Sequence, residues 1–188
     1  MKMAINVDKT MYTGRPSDAR EDNEMRCYDV LDRLGVLYNR ADHEAADTID
    51  DCHVIEDVLG HTICKNLFLT NRQETQYYLL LLPGDKPFKT KELSKQLGIA
   101  RLSFAKADAM EKYLDIHPGS VSVLGVLNDT ENHVQLVIDR EVLEDEYLCC
   151  HPCRNTSTLK IRTADVLEKI LPFAKHEYIK VDLPREEV

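Results

Sequence analysis

This sequence of 188 residues has no long apolar run, no targeting signal and no repeat, and each absence excludes a class of protein. No apolar run approaches the roughly 20 residues that a membrane-spanning helix needs. Residues 1 to 20 lack the apolar centre of a signal peptide, and we see no internal repeat or low-complexity segment. We therefore expect a cytoplasmic protein with no membrane partner. Its six cysteines should be mostly reduced thiols and not a disulfide framework.

An excess of basic charge is also absent, because the formal net charge is −9 at pH 7. This balance argues against a protein that coats duplex DNA, and we predict no DNA partner. Residues 18 to 60 hold thirteen acids and four arginines, whereas residues 84 to 106 hold two acids and six basic side chains. The six are Lys86, Lys89, Lys91, Lys95, Arg101 and Lys106. Two interpretations of this segment stay open: a surface that faces phosphates, and an ordinary solvated helix.

Apolar periodicity alternates between helix and strand spacing and predicts one α/β domain with a mixed sheet. A chain of this length can bury a sizeable core in a single domain. Spacings of three and four residues predict helices over 27–34, 48–59, 90–97, 106–114 and 163–172, the second capped by Thr48. Other apolar runs predict strands over 67–69, 77–82, 121–127, 133–139, 146–150, 157–162 and 176–181, the last at a sheet edge. The run 78–82 is apolar on both faces, which is typical of a central strand.

Lys65 and Asn66 place two polar side chains at the start of the predicted strand 67–69. A lone lysine in such a place most often extends its ammonium group to water along its own apolar stem. The functional interpretation is a fixed cation at a sheet end, aimed at a phosphate or a polarised carbonyl group. Asn66 adds a donor and an acceptor beside that cation.

A glycine-serine turn at Gly119 and Ser120 precedes a further apolar run. Glycine lets backbone approach a ligand closely, and consecutive N–H groups can hold an oxyanion or a phosphate. Most Pro-Gly pairs are only turns, so this turn is weak evidence of a site when taken alone. At the end of the run, Asn128 and Asp129 predict a hairpin turn with no chemistry.

The segment 149–156 contains three cysteines and a histidine. The spacing of Cys150 and Cys153 is typical of half a zinc site, but a structural zinc needs four ligands and no strong second pair is present. An extended backbone would place Cys149, His151 and Cys153 on one face and Cys150 on the other. Buried cytosolic cysteines usually behave as small hydrophobes. Zinc therefore stays an alternative, and no cysteine nucleophile is predicted.

Four short motifs occur in an order and at a spacing that can be compared with known families. They are Lys65-Asn66-Leu67-Phe68-Leu69, Leu82-Pro83-Gly84-Asp85-Lys86, Pro118-Gly119-Ser120-Val121-Ser122 with Leu127-Asn128-Asp129, and His151-Pro152 with Asn155-Thr156. Together they resemble the YbaK/prolyl-tRNA-editing family, and most of all its freestanding alanyl-tRNA(Pro) deacylases. The resemblance implies a mostly antiparallel, barrel-like sheet surrounded by helices. It divides the chain into an N-terminal extension, 1–23, an editing domain, 24–182, and a tail, 183–188, and we expect both ends to be loose.

The function that the resemblance implies is a trans-editing hydrolase that removes alanine from mischarged tRNA(Pro). A synthetase pocket shaped for proline cannot strongly exclude alanine, because one missing methylene costs only about 1–3 kcal/mol. The resemblance implies ester hydrolysis without metal or cofactor, in which a neighbouring ribose hydroxyl of the substrate helps to activate water. The implied partners are the acceptor end of tRNA(Pro) and, as a further candidate, prolyl-tRNA synthetase.

The resemblance also implies a role for each matched residue. Lys65 contacts a terminal phosphate or developing negative charge, Gly119 shapes the loop around the ester carbonyl, and His151 positions a ribose hydroxyl or water; these three are the predicted catalytic residues. The predicted substrate-binding residues are Asn66, Ser120, Val121 and Asn155. The predicted tRNA-contacting residues are Lys86, Lys89, Lys91, Lys95 and Arg101.

Three departures from the family pattern accompany this assignment. Ser122-Val123 stands where family members often have Thr-Pro, Cys153 stands where an aliphatic residue is expected, and residues 1–23 have no assigned match. The first departure bears on pocket size and therefore on the choice of amino acid. The rival hypotheses are a cysteinyl-tRNA(Pro) deacylase of the same fold, a zinc-stabilised interaction module and a catalytically silent tRNA-binding protein.

Overall fold

Two β-sheets organise residues 5–186, the part of the chain that the computed structural model describes. The strands in chain order are Tyr12–Thr13 (β1), Tyr38–Asp42 (β2), Lys65–Thr70 (β3), Tyr77–Leu82 (β4), Ser103–Phe104 (β5), Val134–Asp139 (β6), Tyr147–Cys150 (β7), Ser157–Arg162 (β8) and Tyr178–Val181 (β9). One sheet has the order β1-β2-β8-β7 and the other β5-β3-β4-β6-β9. Neighbouring strands are antiparallel except for β4–β6 and β6–β9, which are parallel. The predicted mixed, mostly antiparallel arrangement is confirmed.

Helices lie between these strands, five of them at the predicted places, whereas the short Arg140–Glu144 was not predicted. They are Asp22–Arg33 (α1), Ile49–Leu59 (α2), Thr90–Leu97 (α3), Ala107–Leu114 (α4), a short Arg140–Glu144 (α5), and a last helix, α6, made of Thr163–Asp165, a π-helical Val166–Ile170 and Leu171–Phe173. Thr48 caps α2: its hydroxyl accepts a hydrogen bond from the Asp51 N–H at 3.2 Å, and the Asp51 carboxylate accepts one from the Thr48 N–H. In the described stretch, no helix has the length and apolar character needed to cross a membrane.

The β4 strand occupies the centre of the five-stranded sheet, as its two-sided apolar run predicts. Leu79 and Leu81 point to a core shared with α1, α4 and the four-stranded sheet, whereas Leu80 and Leu82 pack with Leu93 of α3. All five are completely buried. Each buried leucine contributes about 1.5–3 kcal/mol to stability, so this strand holds both layers together.

The two sheets meet at a single parallel bridge between Ile63, just before β3, and Cys149 of β7. The Cys64 N–H donates to the Cys149 carbonyl oxygen at 3.4 Å. Across residues 5–186 the strands form two separate sheets and do not close into a barrel. The bridge places the start of β3 beside the end of β7.

The prediction of a strand over 121–127 is wrong, because Val123–Leu127 is a 3-10 helix. Ser122 caps it, with its hydroxyl accepting from the Leu124 N–H at 3.2 Å. The Asn66 amide oxygen accepts from the Val123 N–H at 2.9 Å. A local cap and a contact 57 residues away along the chain therefore override the apolar pattern.

The predicted hairpin turn at Asn128 and Asp129 is also wrong. The Asp129 carboxylate accepts from the backbone N–H groups of His133 and Val134 at 3.0 and 2.8 Å, which closes a turn into β6. Because β6 runs parallel to β4, this turn ends a crossover and does not join two antiparallel strands.

Both predicted terminal segments pack on the domain wherever the structure describes them. Val7 bridges to His43, β1 extends the four-stranded sheet, and Arg20 pairs with Asp42 at 3.0 Å. At the other end, the Leu183 N–H donates to the buried Asp139 carboxylate at 2.9 Å. The expectation of loose ends is therefore corrected for residues 5–20 and for Arg185, which pairs with Glu141 and Asp85, while 1–4, 187 and 188 lie outside the described residues.

Candidate functional site

A pocket of about 660 Å³ lies where α2, the start of β3 and the end of β7 meet. This volume is in the usual range for small-molecule sites. Residues from all four motifs line the pocket, which we call the motif pocket: Lys65, Asn66, Gly84, Asp85, Gly119, Val121 and His151. Five of the seven residues predicted to be catalytic or substrate-binding are thus brought together.

Lys65 stands at the pocket end of β3, where its side chain is partly exposed. Its ammonium group donates to the Lys86 carbonyl oxygen at 2.6 Å. That bond fixes the side chain and leaves further N–H groups for a ligand, since an ammonium group has three. Gly84 lies beside it, and a Cβ there would collide with the Ile63 carbonyl oxygen. The close approach of these two backbones therefore requires glycine.

Lys86, a predicted tRNA contact, is instead part of the interior. Its side chain is completely buried, and its ammonium group lies 3.0 and 3.1 Å from the two carboxylate oxygens of Asp139. Glu141 adds a third carboxylate contact at 3.5 Å. A buried ammonium group needs such a partner, so Lys86 is not placed to meet a phosphate, and we correct its assignment.

The Gly119 loop is bound to the loop that carries His151. Gly119 has a φ of +87°, and a Cβ at this position would lie 3.3 Å from the Asn155 side-chain nitrogen. The buried Ser120 hydroxyl accepts a hydrogen bond from the Asn155 N–H at 3.1 Å. Ser120 and Asn155 do not line the motif pocket; they hold its two loops together.

Asn66 faces the motif pocket but uses most of its amide group within the protein. Its oxygen accepts from the Val123 N–H at 2.9 Å, and its nitrogen donates to the Cys64 carbonyl at 3.1 Å. The same nitrogen also donates to the Cys64 sulfur at 3.6 Å, so both of its N–H groups are used within the protein. Asn66 therefore joins β3 to the 3-10 helix that follows the Gly119 loop.

His151 follows β7 and lines the motif pocket. Its Nδ1 lies 2.8 Å from the Ser157 carbonyl oxygen. A carbonyl oxygen only accepts, so Nδ1 carries the proton and Nε2 of the neutral ring is an acceptor. Burial lowers the pKa of His151 to about 4, so the ring is uncharged at neutral pH.

Comparison with known proteins identifies this combination of fold and motifs. Residues 43–169, more than half of the chain, match the family model of the aminoacyl-tRNA editing domain. The chain belongs to this family. It is 33% identical over 153 residues to the prolyl-tRNA editing protein ProX of Acetoanaerobium sticklandii, with 81% of this chain and 93% of that protein covered. It is 30% identical over 154 residues to the prolyl-tRNA synthetase associated domain-containing protein 1 of Danio rerio, with 81% of each covered.

A solved structure supports the fold of this editing domain independently. A crystal structure described as that of a candidate trans-editing enzyme for prolyl-tRNA synthetase superimposes with a TM-score of 0.64. The match covers 90% of this chain and 100% of that one, at 13% identity. The predicted family, the predicted α/β fold and the predicted class of enzyme, an aminoacyl-tRNA deacylase, are confirmed.

The editing domain has one pocket wall that the motifs did not predict, the first turns of α2. Its lining residues are Asp47, Thr48, Ile49, Cys52, His53 and Glu56. Ile49 is 74% exposed at the start of the helix, an unusual place for a large apolar side chain. The capping pattern at Thr48 predicted the helix, but no local signal indicated which surface the helix would face.

The three cysteines of the segment 149–153 are buried and pack within the protein. Cys150 and Cys153 lie in the main core, and Cys149 packs with Ile55 and Leu59. Burial raises the pKa of Cys149 and Cys150. The predicted alternation of faces extends no further than Cys150, where β7 ends, and Cys153 has a φ of +61°. Among residues 5–186 no group of three or more His, Cys, Asp or Glu side chains is arranged to hold a metal.

A basic groove of about 940 Å³ lies between the start of α3 and β5. It is lined by Arg72, Phe88, Lys89, Thr90, Lys91, Arg101, Leu102, Ser103 and Phe104. Three predicted tRNA contacts, Lys89, Lys91 and Arg101, are therefore in one surface, whereas Lys95 is exposed on α3 outside it. Phe104 is 61% exposed and meets Phe88 edge-on with ring centroids 6.2 Å apart. Sequence reasoning missed Arg72, which lies outside the lysine-rich segment 84–106, and both phenylalanines, which lie within it but carry no charge.

Proposed function

We propose that this editing domain hydrolyses the aminoacyl ester of mischarged tRNA(Pro), with alanyl-tRNA(Pro) as its preferred substrate. The observation that carries the proposal is the meeting of four separated motifs in the motif pocket, where a lysine, a glycine loop and a neutral imidazole face one space. Two relatives support the tRNA(Pro) part: one is named a prolyl-tRNA editing protein, and the other is named for association with prolyl-tRNA synthetase.

The reaction is the hydrolysis of an ester. A water oxygen attacks the aminoacyl carbonyl carbon, and the carbonyl oxygen becomes a tetrahedral oxyanion. When this intermediate collapses, the bond between the carbonyl carbon and the ribose oxygen breaks, and the ribose oxygen takes a proton. The products are the free amino acid and a tRNA with an intact terminal hydroxyl.

Lys65 supplies positive charge where negative charge develops. Its ammonium group is fixed by the Lys86 carbonyl oxygen at 2.6 Å and lines the motif pocket. A cation held in advance beside an oxyanion or the terminal phosphate stabilises the transition state without reorganisation. Such groups typically contribute about 10²–10³ in rate.

His151 orients a hydroxyl group with its Nε2 lone pair. With Nδ1–H bound to the Ser157 carbonyl, Nε2 accepts from the attacking water or from the neighbouring ribose hydroxyl. Because burial lowers the pKa of this ring to about 4, it does not retain a proton at neutral pH. Orientation is therefore its contribution, and the proton released by water passes to the leaving ribose oxygen.

A small apolar side chain fits the wall opposite these polar groups. Ile49, Cys52, Ile63, Val121 and Cys150 supply apolar surface in the motif pocket. The methyl group of alanine would lie against this wall. A larger amino acid would need more space between the Gly119 loop and α2, which is how size selection arises in an editing site.

The basic groove is proposed to hold the phosphate backbone of the same tRNA. The segment that leaves β4 contributes Gly84 and Asp85 to the motif pocket and, three to six residues later, lines the groove with Phe88 and Lys91. A strand of RNA could therefore run from one to the other. Arginine and lysine contact phosphates, and the exposed Phe104 ring offers a face for a base.

Side-by-side deacylation of Ala-tRNA(Pro), Cys-tRNA(Pro) and Pro-tRNA(Pro) tests this function. We expect rapid hydrolysis of the alanyl ester, little of the prolyl ester, and a loss of about 10²–10³ in rate for Lys65→Met. Lys169→Met, which alters an exposed lysine of α6, is the matched control and should keep the wild-type rate.

Two results would contradict parts of the proposal. Activity on the cysteinyl ester alone would replace the alanine preference with the rival of the same fold. Tight tRNA binding with no hydrolysis of any ester would indicate a catalytically silent binding protein. Thermal unfolding of Lys65→Met should match the wild type, so that a lost rate reports the missing cation.

A further inference from the structure

We propose that Thr158 and His43 are positioning residues that, together with the Ser157 carbonyl, hold His151 as the Nδ1–H tautomer with Nε2 directed to the motif pocket. The arrangement of hydrogen bonds is a property of the free protein. Its consequence for catalysis rests on the proposed deacylase function. Neither residue belongs to the four motifs, and neither lines the motif pocket.

The three side chains come from adjacent strands of the four-stranded sheet. Register places Cys150 opposite Leu159, so His151, the next residue, comes beside Thr158 in β8. β8 also pairs with β2, and His43 directly follows β2. Thr158 is completely buried and His43 is 8% exposed, so neither side chain is available to bulk solvent.

A chain of short contacts connects these groups. His151 Nδ1 lies 2.8 Å from the Ser157 carbonyl oxygen and 3.3 Å from the Thr158 hydroxyl oxygen. The same hydroxyl oxygen lies 2.8 Å from His43 Nε2. His43 Nδ1 lies 2.7 Å from the Glu44 carbonyl oxygen.

The direction of each hydrogen bond follows from the two carbonyl groups. The Glu44 carbonyl only accepts, so His43 carries its proton on Nδ1. Burial lowers the pKa of His43, and in the neutral ring Nε2 must then accept. The Thr158 hydroxyl therefore donates to His43, and its lone pairs face the Nδ1–H of His151. Every proton of the chain is assigned without conflict.

The chain acts on tautomer and orientation and does not relay a proton. It ends at a backbone carbonyl, and within residues 5–186 no carboxylate hydrogen-bonds to His43, Thr158 or His151 to receive a proton. Reversal of the His151 tautomer would place an N–H donor towards the motif pocket, where an acceptor is needed. Across residues 5–186, His151 Nε2 has no protein hydrogen-bond partner, so its lone pair is left for substrate or water.

Burial makes this arrangement costly unless each polar group is satisfied. If residue 158 only had to fill space in the core, valine would do so equally well, because it has the same shape as threonine and a high strand preference. Unlike valine, Thr158 contacts both histidine rings with its hydroxyl oxygen, at 2.8 and 3.3 Å.

Thr158→Val and Thr158→Ser test the proposal, because the first removes the hydroxyl at nearly constant shape and the second keeps it. The ring ¹⁵N chemical shifts of His151 in the free protein report its tautomer, and steady-state deacylation of Ala-tRNA(Pro) reports kcat and KM separately. We expect Thr158→Val to move the Nδ1 shift, because this N–H loses its second acceptor and keeps only the Ser157 carbonyl, and to lower kcat about tenfold with KM within about twofold. Thr158→Ser should restore both.

Thr163→Val is the matched control, since Thr163 is a buried threonine whose hydroxyl has no partner among the described residues. It should leave the shifts and kcat unchanged. Wild-type shifts in Thr158→Val would overturn the proposal even if stability or kcat fell, because the role would then be structural only. If the wild-type protein hydrolyses none of the esters, the proposed function fails, whereas the ¹⁵N comparison still decides whether the Thr158 hydroxyl positions His151.

Discussion

Gly119 and Gly35 both adopt a left-handed backbone conformation, but their surroundings differ. Their φ angles are +87° and +66°, a region that residues with a Cβ rarely adopt. A Cβ at Gly119 would lie 3.3 Å from the Asn155 side chain, whereas a Cβ at Gly35 would meet no atom within 4 Å. Comparing substitutions at these two glycines therefore distinguishes the effect of backbone strain from the effect of disturbing the two pocket loops.

Gly119→Ala should lower both stability and activity, and Gly35→Ala should lower stability alone. Each substitution is expected to reduce the free energy of unfolding by roughly 1–2 kcal/mol, the cost of a left-handed residue with a Cβ. Only Gly119→Ala also displaces Asn155 and the loop of His151, so only this variant should lose deacylation rate. Urea unfolding and steady-state kinetics on both variants measure the two effects, and equal activities would contradict the role given to the Gly119 loop.

Lys86 is a residue whose position could not be predicted from the local sequence. The lysine-rich segment predicted a solvent-facing charge at Lys86, as at Lys91. The partner that draws Lys86 inward, Asp139, lies 53 residues further along the chain, and no local pattern connects the two. Lys65 and His151 could be predicted as site residues only because whole motifs resemble a family, since each alone has an ordinary structural explanation.

At the scale of elements, helix and strand positions were predictable wherever local periodicity agreed with long-range packing. The buried β4 and the capped α2 are examples, because the two-sided apolar run and the Thr48 cap are complete within the local sequence. The stretch 121–127 was not predictable, because Asn66 and Ser122 convert an apolar run into a 3-10 helix. The α2 wall of the motif pocket was missed for a similar reason, because the surface that a helix faces is set by tertiary packing and not by its local sequence.

The capping box of α2 should control how well the motif pocket holds its ligand. Thr48→Ala removes the acceptor for the Asp51 N–H and should cost about 0.5–2 kcal/mol of stability. The first turn of α2, which contributes Ile49 and Cys52 to the pocket, should then fray. We expect faster amide hydrogen exchange in that turn and a KM several-fold higher with kcat little changed.

Thr48→Ser is the control for this prediction, because it keeps the capping hydroxyl and should preserve both exchange rates and KM. A Thr48→Ala protein with faster exchange but a wild-type KM would show that the start of α2 does not contact the substrate.

At the scale of the whole molecule, an acidic protein is proposed to bind a polyanion. The net charge of −9 repels RNA at long range, but screening limits this repulsion to about 8–10 Å at physiological salt. At short range the basic groove gathers Arg72, Lys89, Lys91 and Arg101 on one surface. Local charge should therefore dominate binding, while the acidic remainder disfavours other contacts.

Salt should accordingly weaken tRNA binding, and the groove should account for the dependence. Each phosphate contact contributes a slope of roughly −0.7 to −0.9 in log K against log salt concentration. Lys91→Ala and Arg101→Ala should each reduce the magnitude of that slope by about this amount, and Lys169→Ala should leave it unchanged. Filter binding or fluorescence anisotropy across a salt series measures the slopes. An affinity independent of salt, or slopes equal in all four proteins, would place the RNA elsewhere on the molecule.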